Sequence, residues 1–406
     1  MSAAESSLLK SRTTPRVADF IAFVSERETE QVLQRFVLEQ AMPHVHIALG
    51  GVDEAIAYLE KTERAPLFLL IDLHRSAMPL SDLGRLSQVC EPSVQVVALG
   101  ERNDVGLFRS LLKIGIRDYL VKPLTVELLS RTVDLSQGRV TNVVSARVGK
   151  VIGFVGARGG VGVTTLTVNL ARYLAEETHR RVAYIDLNLH GGAANTMLAL
   201  KSNNGLIDVL QNVHRLDPQY VERTMVEKSS RLFVLSAELD LREQMTIVPG
   251  ALARILTILS DSFHYVLLDI DDPGALLGKE ALDHASRAYV ITDATVHAAR
   301  QTTRLLRYIG DRENNPPTSL VLNHPNAIVA GKVATQDIVA GVGRPILHEI
   351  RFEPKLLSIS ENLGEAPREK AQNGFHHAIM QIANDLTGQR QEAPTSFMQK
   401  LRLRGK

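Results

Sequence analysis

VIGFVGARGGVGVTTLTVNL, residues 151 to 170, decides how this chain is read. Five apolar residues of β character, Val151 to Val155, run into a glycine-rich turn, and the apolar spacing of Leu166, Leu170 and Leu174 beyond it is that of a helix. Strand, glycine loop and helix in that order outline a phosphate-binding loop. Gly159, Gly160 and Gly162 allow successive backbone amides to turn inward around an anion at the positive end of the helix. Thr164, followed by Thr165, is placed to set a hydroxyl on a phosphate-bound magnesium ion. Position 163, after Val161 and Gly162, is where such a loop carries lysine, whose point charge bridges the β and γ phosphates and stabilises the transition state. Here it is Val163, which predicts binding that survives and hydrolysis that is slowed. Arg158, at the head of the loop, keeps one positive charge beside the glycines.

The rest of the composition narrows the function classes. At 406 residues, 45% hydrophobic and 22% charged, the chain has the length and balance for two or three globular domains with real cores. A net charge of +1 announces no strongly basic nucleic-acid groove, so DNA is not an expected partner. The lone cysteine, Cys90, in an apolar and loop-like context, excludes an internal disulfide framework and a thiolate metal site. No apolar run reaches the length of a membrane span, and Met1-Ser2-Ala3-Ala4-Glu5 does not open like a secretory signal; a cytoplasmic protein is expected.

Before the loop, short apolar runs alternate with helical periodicities. Strands are expected at Phe20 to Val24, Val45 to Leu49, Leu67 to Ile71, Gln95 to Leu99 and Asp118 to Val121, with helices between them and a last helix over Val126 to Asp134. That rhythm predicts a doubly wound parallel sheet whose function sits at the strand carboxyl ends, where Asp72, Gly100 and Lys122-Pro123 fall. This arrangement resembles the response-regulator receiver domain, in which an aspartate ending the third strand accepts a phosphoryl group. Asp72 stands at the acceptor position, and the stretch from Gly115 to Pro123 matches that family. The apparatus is eroded: Ser25-Glu26 stands for an acidic pair, Gly100 for a hydroxyl residue, and Met78-Pro79 lies behind an irregular stretch. With few oxygen ligands left for a metal, Asp72 and Lys122 are read as a vestigial phosphoacceptor region joined by a structural ion pair, in a domain kept for docking or dimerisation.

After the loop, Arg181 to Asp186 reads as a strand ending in a carboxylate, followed by Asn188, His190 and a Gly-Gly turn. Tyr265-Val266-Leu267-Leu268-Asp269 is a second such strand, of the kind that carries a magnesium-shell carboxylate out of a buried sheet. Asp271 and Asp272 precede Pro273-Gly274 and read equally as turn residues. Further strands are expected at Ala288 to Thr292 and Ser319 to Leu322, with Asn323 at an edge suited to a nucleotide base.

Residues 148 to 386 resemble the MinD/ParA group of deviant Walker A ATPases, a three-layer α/β/α P-loop fold. The signature is Arg158 to Thr165, where typical members carry lysine at both 158 and 163. By the same resemblance, Asp186 and Asn188 match an Asp-x-Asp switch that positions the attacking water, Asp269 the Walker B carboxylate, and Asn323 an adenine-contacting residue. Ile350-Arg351-Phe352-Glu353 and Glu361-Asn362-Leu363-Gly364 match later segments. An amide at 188 cannot take a proton from water, which weakens hydrolysis in the same direction as Val163. The resemblance implies ATP with Mg2+ and a nucleotide-stabilised homodimer in which Arg158 reaches the partner's phosphates.

The order of domains expected is a lead at 1–15, a receiver-like domain at 16–134, a linker at 135–147, the nucleotide-binding domain at 148–386 and a basic tail at 387–406. That order is similar to the TadZ/CpaE proteins of Flp-type (Tad) pilus assembly. It implies a localisation or scaffold protein at a cell pole or the inner membrane, partnered by a pilus secretion ATPase or inner-membrane assembly components. The tail, Phe397 to Lys406, mixes basic and apolar residues suited to peripheral membrane contact, or reads as a frayed terminus. Three readings stand beside this one: a ParA-like DNA-partitioning ATPase, a receiver-controlled phosphorelay regulator, and a scaffold with a dead nucleotide site.

Overall fold

FIAFV, at Phe20–Val24, is buried along its whole length, as a strand covered on both faces must be. It opens the computed structural model, which describes residues 20–325, 333–353 and 374–387 apart from 41, 43, 63–64 and 137–147. The readings made for residues 1–15, 137–147, Glu361 to Gly364 and the tail beyond 387 lie outside the described residues. The chain divides into two units, Met1–Arg147 and Val148–Lys406.

In the first unit, strands β1 (Phe20–Val24), β2 (Val45–Leu49), β3 (Phe68–Asp72), β4 (Gln95–Gly100) and β5 (Asp118–Val121) alternate with helices α1 (Arg27–Glu39), α2 (Val52–Lys61), α3 (Pro79–Val89), α4 (Val105–Lys113) and α5 (Val126–Ser136). Helix α5 therefore continues two residues into the stretch expected to be linker. The sheet is parallel throughout, in the order β2-β1-β3-β4-β5. The two-residue strand period separates two cores. Phe20, Ala22, Val24 and Leu70 pack on Leu33 and Phe36 of α1 and Leu129 and Val133 of α5. Ile21, Phe23, Leu69 and Ile71 pack on Ala55 and Leu59 of α2, Leu83 and Leu86 of α3 and Leu111 of α4. Cys90, read from sequence as loop-like, is buried at the end of α3. Because strand order reverses between β1 and β3, the crevice expected of doubly wound sheets opens there, beside Asp72.

The second unit is built on an eight-stranded sheet among the described residues, in the order β13-β12-β11-β6-β10-β7-β9-β8. Its strands are β6 (Lys150–Gly156), β7 (Val182–Asp186), β8 (Val226–Ser229), β9 (Leu232–Leu235), β10 (Tyr265–Ile270), β11 (Arg287–Thr292), β12 (Thr318–Asn323) and β13 (Ile346–Ile350). All pairs are parallel except β8 with β9. One face is covered by α6 (Val163–Glu176) and α14 (Gly374–Thr387), the latter contributing Phe375, Ile379 and Ile382 to the core. The short helix α7 (Ala194–Met197) adds Ala194 and Met197 to that face, and the other face is covered by α8 (Gly205–Gln211), α9 (Pro218–Thr224), α10 (Ala251–Ser262), α11 (Leu276–His284) and α13 (Thr335–Val342). Helix α14 is tied to the amino-terminal end of the sheet, where Tyr289 donates to Asp385 Oδ2 at 2.8 Å and Lys150 Nζ to the Leu386 carbonyl at 2.9 Å.

The start of α10 has no side-chain cap of its own. Glu280 of α11 supplies one from across the interface, accepting from the amides of Gly250 at 2.6 Å, Leu252 at 3.1 Å and Ala253 at 3.3 Å. Replacing Glu280 with Ala strands these donors in a buried place, at a cost on the order of 1–3 kcal/mol. A lowered urea midpoint for Glu280→Ala, with a smaller loss for Glu280→Gln, is the expected result.

Candidate functional site

Strands β6, β10 and β7 run side by side, and their register sets Asp269 opposite both Phe154 and Asp186. Asp186 and Asp269 thus end neighbouring strands as two buried carboxylates, 2% and 5% exposed. Tyr184, on the same face of β7 as Asp186, donates its hydroxyl to Asp269 Oδ2 at 2.8 Å. Thr164, in the first turn of α6, hydrogen-bonds the same carboxylate. Burial pushes the Asp269 carboxyl up, with hydrogen bonds from Thr164 and Tyr184 opposing and Asp271 adding to the rise. Burial and then the Asp269 charge push Asp186 up to about 7, against the amides of Asn188 and Ala194. Burial and the two aspartates hold the Tyr184 hydroxyl protonated as a donor.

Two adjacent buried acids with a hydroxyl beside them form an oxygen donor set that a hard divalent cation would neutralise. The set fits Mg2+; Thr164 and Asp269 are the residues that would hold it, with Asp186 alongside, and the ion would supply charge for phosphate oxygens at the loop.

The loop itself turns through two left-handed glycines, Gly160 at φ 76° and Gly162 at φ 94°. Gly162 is the N-cap of α6, and a side chain there would meet Asn323 Nδ2 at 2.6 Å. Asn323, at the end of β12, donates that Nδ2 to the Val161 carbonyl at 2.7 Å, so its amide nitrogen braces the loop backbone. Val163 packs against the core on the α6 side and brings no charge to the loop.

Arg158 turns back onto its own chain. Its guanidinium pairs with the buried Asp293 and donates to the Gly159 carbonyl at 3.0 Å. Asp293, just past β11, is in turn held by the Thr295 hydroxyl at 2.7 Å. Asn188 organises its own turn, its Oδ1 accepting from the amides of Gly191 at 2.9 Å and His190 at 3.3 Å. The His190 ring lies 3.0 Å from the Glu243 carbonyl, and Asp272 closes the Gly274 turn at 2.8 Å.

In the first unit Asp72 is 1% exposed. Its carboxylate accepts from the amides of Ser25 at 3.0 Å and His74 at 2.9 Å and lies 2.9 Å from Lys122 Nζ. Burial would raise its pKa, but Lys122 and the two amides outweigh it and hold the carboxyl below the usual range. Gly100 is explained by Tyr119, whose ring and hydroxyl fill the space that a side chain at 100 would need.

Tyr184 and Asp293 were not singled out from sequence. Both had a signal: Tyr184 precedes Asp186 by two residues and so shares its face, and Asp293 directly follows a strand at the same sheet edge.

Two changes test this geometry. Gly162→Ala forces a side chain into a left-handed position and against Asn323, so nucleotide affinity should fall more than about 10-fold, and adding Asn323→Ala should restore it only in part, because the backbone strain remains. Asp269→Asn removes one of two repelling charges. It should abolish Mg2+-dependent nucleotide binding while raising the stability of the ligand-free protein by something on the order of 1 kcal/mol, read as an increased melting temperature.

Residues 149–320 match the AAA domain family. The chain is 23% identical over 246 residues to the septum site-determining protein MinD of Bacillus subtilis, covering 59% of this chain and 90% of that one. Among solved structures, a ParA family ATPase from Chlorobium tepidum superposes with a TM-score of 0.54 at 21% identity, covering 58% of this chain and 98% of its own. MinD from Pyrococcus horikoshii, solved with Mg-ADP, superposes with a TM-score of 0.50 at 18% identity, covering 59% and 96%. With the glycine loop at the head of α6 and two acids at the carboxyl ends of its central strands, the second unit has the P-loop fold of these MinD and ParA ATPases and is similar to MinD in sequence.

Proposed function

We propose that the chain is an ATP- and magnesium-binding protein that dimerises on nucleotide and positions a larger assembly, turning ATP over slowly. The observation that carries this reading is the pairing of an intact cradle with depleted hydrolytic groups. The left-handed glycines, Thr164, Asp186 and Asp269 stand together, while position 163 offers a packed methyl surface and position 188 an amide already bound to its own turn. Removal of one transition-state electrostatic contact commonly costs about 10²-fold in rate. Equilibrium binding of a fluorescent ATP analogue with Mg2+ should be saturable, and Val163→Lys combined with Asn188→Asp should raise turnover by about that factor. No analogue binding, or wild-type turnover equal to that of a lysine-bearing relative, rejects the proposal.

Arg158 bears on the dimer. To meet a partner's phosphate it must leave Asp293, a buried pairing whose loss leaves a carboxylate behind. Asp293→Ala should therefore increase the dimer fraction at limiting ATP, and Arg158→Ala should reduce it, in sedimentation runs with and without nucleotide.

Two cargoes are supported by different features. A DNA-partitioning role is supported by α12 (Val296–Gly310), on which His297, Arg300, Arg304 and Arg307 are exposed at helical spacing as one basic stripe. A role in Flp/Tad pilus assembly is supported by the receiver-like unit preceding the deviant loop, with Asp72 closed off by Lys122 as befits a docking module. Duplex binding by the full chain with ATP, lost in Arg300→Glu with Arg304→Glu, selects the first. Polar placement of a fluorescent fusion that needs the first unit but survives Asp72→Ala selects the second. No helix among the described residues is long and apolar enough to cross a membrane.

A further inference from the structure

The carboxyl edge of the first unit carries a cluster that the reading of Asp72 does not use. Strands β1, β3 and β4 are consecutive neighbours in the sheet, and each releases one metal-binding side chain just past its end: Glu26, His74 and Glu101. One ligand atom from each lies within 4.8 Å of the other two. Their meeting is set by the sheet order and by a backbone contact, since the His74 amide is fixed on Asp72 Oδ1 at 2.9 Å.

We propose that Glu26, His74 and Glu101 form a site for a divalent transition cation of the zinc class. The donors are one imidazole nitrogen and two carboxylates, the mixed set that zinc accepts and that magnesium, which takes oxygen ligands, does not favour. The charge balances. Lys122 lies 2.9 Å from Asp72 and cancels it, leaving the two glutamates to meet a 2+ ion with His74 neutral. Lys122 also reaches Glu26 Oε2 at 3.0 Å, a pairing that a carboxylate with two oxygens can keep while it binds a metal.

His74 Nδ1 and Glu101 Oε1 already lie 2.7 Å apart, so the ion takes the place of the hydrogen they share. Metal-donor distances of about 2.0–2.2 Å bring the three donors to roughly 3–3.5 Å from one another. Side chains that are 40%, 53% and 43% exposed, for His74, Glu101 and Glu26, can make that adjustment by rotation. Asp72 is not a ligand in this arrangement, because Lys122 and two amides hold its oxygens. It acts as a positioning group, through its bond to the His74 backbone. The site is three-liganded, with positions left for water, and its occupancy ties together the ends of three strands.

The test uses the full-length chain carrying Asp269→Asn, which silences the nucleotide site, stripped with chelator and titrated with Zn2+ in excess Mg2+. One Zn2+ per chain is expected, with affinity falling more than about 10-fold in His74→Ala and in Glu101→Gln. No stoichiometric uptake, or unchanged affinity in both variants, overturns the proposal. Because a loss of binding alone can reflect misfolding, His74→Cys provides a gain. With Co2+ it should bind and show a thiolate-to-metal charge-transfer band that the parent lacks, and binding without that band places the metal elsewhere and overturns the assignment.

Discussion

Two carboxylates at the ends of adjacent parallel strands cannot both be ionised in a buried place without a cation or a proton between them. Asp186 and Asp269 are in that position, and the groups around them answer their repulsion. Tyr184 gives a hydroxyl to one of them from inside the sheet, and Thr164 gives another from the start of α6. The helix, the loop and the two strands are therefore held in one electrostatic arrangement. A bound magnesium nucleotide would relieve the repulsion, and binding at this point would then act on the central strands as well as on the loop.

The first unit has the same kind of edge with the opposite solution. Asp72 ends β3 and Asp269 stands one residue from the end of β10, but Lys122 neutralises Asp72 from within and two amides complete its hydrogen bonds. An acid satisfied internally has little need of an external cation, and the change of charge that drives a phosphate switch starts there from a closed ion pair. The carboxylates of Glu26 and Glu101 stand further out, past the ends of β1 and β4.

Arg158 extends the contrast. The resemblance to deviant Walker ATPases implies a side chain reaching for a second subunit, yet the charge is stored on Asp293, within its own sheet edge. In the proposed dimer its release would be set by competition between that buried carboxylate and a phosphate, a bidentate partner that guanidinium suits well.

Strand and helix positions were legible because buried parallel strands write themselves as short unbroken apolar runs and the helices between them as 3.6-residue periods; Phe20–Val24 and Asp118–Val121 fall where the sequence puts them. The glycine loop and the acids at 186 and 269 were legible for a related reason, since a strand that ends in a carboxylate declares which edge of the sheet it serves. Side-chain partners were not, because they depend on which strands become neighbours. Sequence order says nothing of β11 lying beside β6, which brings Asp293 to Arg158, or of β12 lying next along, which sets Asn323 on the Val161 carbonyl of the loop. The same holds for Glu26, His74 and Glu101, far apart in the chain and joined only by the order β1-β3-β4. Residue type and local period determined the elements and the chemistry available at their ends; strand adjacency, a long-range outcome of packing, decided which charges meet.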